Sequence, residues 1–242
     1  MNALRISVAA PCFNEEESIA AVVAEWDAVL SAVPRGSEIV LCNDGSKDGT
    51  AAILEQLCGK YPRLRVVSFE VNGGYGRALS AAIDATRGEY VVTIDSDGQF
   101  DLRDAMGLLG ELEDGDYDCV TGFRKAKQDS LFRVLADRGL NRLVRLMFGI
   151  RLRDTNCALK VAKGDVLRGL RIEARGFPTP TEILLRLQAR GCRLGEAGVS
   201  HRERQGGASK LHPWRTAWAM FRFLMYLRTK LKLYRNRIIV EP

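Results

Sequence analysis

Short apolar runs alternate with stretches of helical spacing through the first half of the chain. Residues 5–10 alternate into an apolar strand. Over 15–33 the residues Ile19, Val22, Val23, Trp26, Val29 and Leu30 recur at helical intervals. Residues 38–42 form a second strand, and a helix follows Asp48, whose carboxylate can cap it. A third strand at 64–70, a helix at 76–86, a fourth strand at 89–94, a helix around 103–112 and a fifth strand at 117–121 complete the series. Strands alternating with helices at this pitch predict an α/β fold with a doubly wound, mostly parallel sheet flanked by helices. In such a sheet the functional loops lie at the carboxyl ends of the strands.

After residue 122 the pattern changes. Residues 131–148 read as a basic amphipathic helix, 154–161 as a short strand or edge segment, 181–189 as a helix, 193–199 as a strand and 214–234 as a helix. No repeat and no low-complexity linker interrupts the chain. The expected division is a domain over 1–212, with a basic amphipathic helix and tail at 213–242 that belongs to it or lies on a membrane surface.

The 242 residues are enough to bury a core without staples, and six cysteines without a C-x-x-C pair suggest a reducing compartment. Cys42, Cys58 and Cys192 sit in apolar contexts and read as core residues. No signal peptide and no apolar run of membrane-spanning length is expected. The net charge of +6 hides an asymmetry: residues 1–118 hold 9 basic and 21 acidic side chains, and the remainder hold 27 and 9. The acidic half suits a metal. The basic half suits phosphates, an anionic membrane or nucleic acid, although much of it can be solvated surface.

The chemistry concentrates at the ends of the strands. The fourth strand runs into Asp95-Ser96-Asp97-Gly98-Gln99. Two carboxylates one residue apart can converge on a hard cation, Mg²⁺ or Mn²⁺, that neutralises a departing diphosphate. The same residues also make good turn chemistry. The first strand ends in Pro11-Cys12-Phe13-Asn14-Glu15, the second in Asn43-Asp44-Gly45-Ser46, and the third in Asn72-Gly73-Gly74-Tyr75-Gly76-Arg77. Asp44 can accept a hydrogen bond from a base N–H. The glycines before a helix let backbone approach phosphate or ribose, with Arg77 adding charge. A dinucleotide fingerprint is only partly met: Leu79 stands where Gly or Ala is wanted, and the turn follows the third strand.

Taken jointly and in order, these elements resemble the family 2 glycosyltransferases with the GT-A fold. The resemblance makes Asp95-Ser96-Asp97 the D-x-D metal motif, and Pro11, Phe13, Asn14, Glu15 and Asp44 nucleotide-contacting positions. Asn43 departs from the Asp often found there. Gly122-Phe123-Arg124, Arg138, residues 154–160, Thr179-Pro180-Thr181-Glu182 and residues 201–210 are similar to the polyprenol-phosphate sugar synthases, such as dolichol-phosphate mannose synthase. The likeness covers roughly residues 5–212.

That resemblance implies an inverting, metal-dependent transfer of a sugar from a nucleotide-sugar donor to a polyprenyl monophosphate. Asp95, Asp97, Arg124 and Asp154 would be catalytic. Asp95, Asp97 and Gln99 would form the metal shell, and Gly76, Arg77 and Ser96 would join the nucleotide contacts. Arg124, Arg138, Arg202, Arg204, Ser209 and Lys210 would hold the acceptor phosphate, which is already ionised near neutral pH and needs no strong base. An acceptor hydroxyl would need one, and Asp154 or Glu182 is then the choice.

In the last segment Trp214, Ala217, Trp218, Phe221, Leu224, Met225 and Leu231 recur at helical spacing among seven basic residues, as on an interfacial helix on anionic lipid. The alternative is a core helix with basic ends. The expectation is a peripheral enzyme at the cytoplasmic face of a membrane. Nucleic-acid binding, suggested by the basic half, lacks a motif and an aromatic stacking platform. A non-catalytic nucleotide-sugar binding protein is the third reading.

Overall fold

Seven strands assemble in the order β3-β2-β1-β4-β6-β5-β7. The computed structural model describes residues 5–33, 36–125, 131–202 and 213–242, with backbone alone for 131–138 and 213–215. In chain order the elements are β1 (Ile6–Cys12), α1 (Ile19–Leu30), β2 (Ser37–Asp44), α2 (Thr50–Lys60), β3 (Leu64–Phe69), α3 (Tyr75–Asp84), β4 (Tyr90–Thr93) and α4 (Leu102–Asp114). They continue as β5 (Cys119–Arg124), α5 (Leu131–Phe148), β6 (Lys160–Lys163), α6 (Gly164–Leu167), α7 (Thr179–Ala189), β7 (Leu194–Val199) and α8 (Pro213–Arg235).

The sheet is mostly parallel, as its continuous apolar runs require when both faces are covered. From β1, Ile6, Val8, Ala10 and Cys12 enter one core with α1, α2 and α4, whereas Ala9 enters the other with α3, α5, α7 and α8. Only β6 runs antiparallel, pairing Lys160 with Thr93 of β4 and with Thr121 of β5. The segment read as an edge is therefore interior. A lysine at each end gives it the look of an edge, yet Val161 and Ala162 are fully buried. Because β6 is antiparallel, its first residue lies at the same end of the sheet as the last residues of β4 and β5.

Helix α1 begins later than its periodicity suggests. The backbone N–H groups of Asn14, Glu15 and Glu16 are taken by Ser46, Thr50 and Asp48 of the chain after β2, so residues 14–18 turn before the helix starts. Cys58 is exposed and Cys192 half-buried, contrary to their apolar contexts, while Cys12, Cys42, Cys119 and Cys157 are buried. Burial pushes each of those four thiols up to about 12, which removes them from thiolate chemistry.

Helix α8 lies on the body. Met220, Leu224, Leu227 and Leu231 form its buried stripe in the core shared with α5 and α7. Leu224 and Leu231, read in the sequence as lipid-facing, are therefore core residues. Trp218, Phe221 and Met225 remain on the outer face at 62%, 40% and 44% exposure. Among the described residues no helix is long and apolar enough to cross a membrane.

Candidate active site

Strand order reverses between β1, which leads to β2 on one side, and β4, which leads on to β5 on the other, and in such sheets ligands bind in a crevice outside the carboxyl ends of the strands at that point. The loop after β1 and the D-x-D loop after β4 form its two lips. The Ser96 hydroxyl donates to the Pro11 carbonyl at 2.7 Å and closes the base between them. Phe13 stands exposed at the mouth. Asn14 adopts a left-handed φ of 56°. Its Oδ1 accepts from Lys47 N at 2.8 Å and fastens the β1 lip to the loop after β2. Glu15 Oε2 accepts from the Ser18 hydroxyl at 2.9 Å.

Asp44 and the glycines also shape the turn before α3. Both oxygens of Asp44 accept backbone N–H groups, from Gly73 and Gly74, each at 2.8 Å. Its carboxylate orders the turn before α3. A Cβ on Gly74 would collide with the Arg175 carbonyl, and one on Gly76 with the Ala174 carbonyl. These two glycines allow the start of α3 to sit flush on another stretch of chain, not on a phosphate. Arg77 lays its guanidinium over the Phe69 ring, 3.9 Å from the centroid.

Asp95 and Asp97 stand half-buried at the end of β4. Burial first, and then the Asp97 charge, push the Asp95 carboxyl up to about 7, against the Tyr75 hydrogen bond and the charges of Lys160 and Arg124. Two carboxylates in such surroundings fit a hard divalent cation, whose charge would offset their repulsion. Among the described residues no group of three or more metal-binding side chains occurs, so the rest of such a shell would be substrate oxygens and water. Gln99 turns elsewhere: its Nε2 donates to the Arg202 carbonyl at 3.3 Å, and its own carbonyl accepts from Arg202 N at 2.8 Å. It splices the D-x-D loop to the chain that follows β7.

Arg202 itself is held by acids. Its guanidinium donates to Glu25 at 2.9 Å and to Asp101 at 2.5 Å, which makes it a brace between α1 and the start of α4. Arg204, Ser209 and Lys210 lie outside the described residues, as does the side chain of Arg138.

The far wall comes from β5 and the approach to β6. Arg124 ends β5 and meets Asp154, Nε to Oδ2 at 2.7 Å and Nη2 to Oδ1 at 3.2 Å. The 154–156 turn is fixed by Asn141 of α5, which accepts from Thr155 N at 3.0 Å, and by Thr181 of α7, which donates to the Thr155 carbonyl at 3.3 Å. Lys160, missed as a site residue although its motif was noted, is buried beneath this wall with its amine on the Cys157 carbonyl. Burial lowers its pKa, while Asp154 and Asp95 oppose the change. Glu182 is not a base in waiting. It accepts from Glu173 N and Ala174 N and from the Arg186 guanidinium, with both side chains wholly buried.

An acidic pair at the end of β4 and an arginine fixed at the end of β5 thus stand at the same end of a mostly parallel sheet. Residues 7–163 match the model described as glycosyl transferase family 2, and the chain belongs to that family. Among curated relatives, the dodecaprenyl-phosphate galacturonate synthase of Rhizobium johnstonii is 31% identical over 214 residues, covering 87% of this chain and 62% of the relative. The undecaprenyl-phosphate 4-deoxy-4-formamido-L-arabinose transferase of Edwardsiella ictaluri is 33% identical over 207 residues, covering 85% and 62%. The chain thus spans about three fifths of the length of these relatives. Among solved structures, glucosyl-3-phosphoglycerate synthase from Mycobacterium tuberculosis, in complex with Mn²⁺, uridine diphosphate and phosphoglyceric acid, superposes with a TM-score of 0.68 at 24% identity. That match covers 96% of this chain and 78% of the other, and it places this chain in the same fold.

Proposed function

We propose that this chain transfers a sugar from a nucleotide-sugar donor to a polyprenyl monophosphate, with inversion at the anomeric carbon. One observation carries the reading: the half-buried Asp95 and Asp97 follow β4, and Arg124, held by Asp154, ends β5 at the same end of the sheet. Such a site takes a cation and a second anion side by side. The names of the relatives supply the acceptor class.

In this reading Asp95 and Asp97 hold Mg²⁺ or Mn²⁺, while Pro11, Phe13, Asn14 and Glu15 line the donor side. A bound divalent cation supplies Lewis-acid stabilisation of the diphosphate charge. Arg124, kept in register by Asp154, orients the acceptor phosphate. An oxygen of that phosphate forms the new bond to the anomeric carbon as the bond to the diphosphate breaks, and the electron pair leaves with the diphosphate. The acceptor arrives ionised, so no protein base has to remove a proton. Arg204, Ser209 and Lys210 would add to the phosphate grip, as the resemblance implies.

The outer face of α8 supports a peripheral location on an anionic membrane. Trp218 and Phe221 stack with centroids 5.9 Å apart, Met225 continues the stripe, and exposed Arg222, Arg228 and Lys232 flank it. The cytoplasmic face is the side proposed. A hydroxyl acceptor is the second reading, and Asp154 and Glu182 are poorly placed for it because each is bound to an arginine.

The test is a donor-by-acceptor assay with Mn²⁺ or Mg²⁺, following nucleotide diphosphate release from GDP- and UDP-sugars with and without a short polyprenyl phosphate. Release that requires lipid phosphate and metal, and that is abolished in a folded Asp97→Asn variant, is the expected result. Metal-independent release, or full activity in Asp97→Asn, would overturn the reading.

A further inference from the structure

Tyr75, the first residue of α3, reaches across the crevice and donates its hydroxyl to Asp95 Oδ1 at 2.7 Å. It lies 20 residues before its acceptor and belongs to none of the motifs that define the acidic pair.

The turn that carries Tyr75 is held on both sides. Asp44 grips the N–H groups of Gly73 and Gly74 from β2. Gly74 and Gly76 lie directly against the carbonyls of Arg175 and Ala174, with no room for a side chain. That opposing stretch is itself fixed, because Glu182 takes the N–H groups of Glu173 and Ala174 while Arg186 neutralises Glu182 in the core. Two buried carboxylates on different elements thus fasten one turn. A carboxylate with one oxygen tied to a hydroxyl donor has lost a rotation and offers its other oxygen in a set direction.

We propose that Tyr75 is a positioning residue for Asp95, orienting that carboxylate for a divalent cation, with Asp44 and Glu182 serving as the frame that holds Tyr75 in place. This rests on the reading of Asp95 and Asp97 as cation ligands. Asp44 then acts on the site through backbone and not by contact with a base. The design lets the loop after β3 set the geometry of the loop after β4, with two strands, β2 and β1, lying between them in the sheet.

The experiment titrates Mn²⁺ alone into the full chain and follows free and bound metal by electron paramagnetic resonance. It compares wild type with Tyr75→Phe, Gly76→Ala and Asp97→Asn, and the thermal midpoint of each variant is read alongside. Tyr75→Phe keeps the ring and removes the hydroxyl. The expected result is an affinity about tenfold weaker, as for other residues that orient a metal ligand, with an altered bound-Mn²⁺ spectrum and an unchanged midpoint. Gly76→Ala, which touches no ligand but displaces the turn, is expected to weaken Mn²⁺ binding in the same direction. Wild-type affinity in Tyr75→Phe, with binding lost in Asp97→Asn, would overturn the role of Tyr75 alone. Wild-type affinity in Asp97→Asn would overturn the cation reading beneath it. Loss of binding in Tyr75→Phe that travels with a lowered midpoint would assign Tyr75 to folding and overturn the proposal.

Discussion

Arg124 and Asp154, thirty residues apart, meet through two parallel hydrogen bonds of 2.7 and 3.2 Å between β5 and the approach to β6. Asp154 is almost fully buried, and the guanidinium keeps a small exposed edge toward the crevice. The pair converts a flexible side chain into a fixed donor fork.

Asp154→Asn tests whether the carboxylate positions or abstracts. Turnover with a lipid phosphate acceptor is expected to fall about tenfold, the scale for losing an orienting partner. Mn²⁺–nucleotide affinity should stay within about twofold. A loss of 10²–10⁴, the scale for a general base, would favour the hydroxyl-acceptor reading. Steady-state kinetics with separate binding measurements distinguish the two.

Glu182→Gln should act on stability. The change leaves Arg186 charged in a fully buried site beside Glu173, and breaking such a pair costs about 3–5 kcal/mol. Urea denaturation is expected to show this loss, and Mn²⁺ affinity per folded molecule should fall with it, because Glu182 holds the 173–174 backbone against the turn that carries Tyr75. A wild-type midpoint combined with lost turnover would contradict the structural role.

Acid should loosen α4 before the rest of the sheet. The Asp101 carboxyl is held down to about 2, first by the Arg103 guanidinium and then, against partial burial, by Arg103 N–H and the Arg202 charge. A depressed carboxyl stabilises the fold above its ordinary value of 3.8, and that contribution disappears as pH falls toward 2. With solvent screening the effect is about 1 kcal/mol. Urea midpoints between pH 5 and pH 2 should fall more steeply in wild type than in Asp101→Ala, and parallel slopes would refute the assignment.

Helix α8 predicts opposite outcomes on its two faces. Trp218→Glu and Phe221→Glu should reduce sedimentation with anionic vesicles several-fold at an unchanged thermal midpoint. Leu224→Ala, on the buried stripe, should cost about 2–4 kcal/mol of stability while leaving vesicle binding per folded molecule intact. Equal vesicle binding by all three variants would remove α8 as the membrane contact.

Much of the site was legible because its residues are local. Asp95 and Asp97 sit at the end of an apolar run, and Pro11 to Glu15 follow another, so period and turn chemistry bring them to the strand ends. Partner choice was not legible. Asp44 and Arg202 carry charges suited to a nucleotide and a phosphate, yet their neighbours are the 73–74 backbone and the Glu25–Asp101 acids. Those contacts span 29 to 177 residues of sequence. Tyr75 carried no role in the sequence, because nothing nearby in the chain announces a hydroxyl aimed at a carboxylate 20 residues on.

By itself the sequence determined the alternating elements, the mostly parallel sheet, the acidic pair at the end of β4 and the basic second half, since each follows from residue spacing and composition. Tertiary structure alone decided that β6 is interior and antiparallel, that Leu224 and Leu231 face the core while Trp218 and Phe221 face outward, and which charges are neutralised within the protein. Spacing along a helix or strand says which residues share a face. Which face is covered, and which distant group satisfies a buried charge, depends on close packing between elements that only the folded chain brings together.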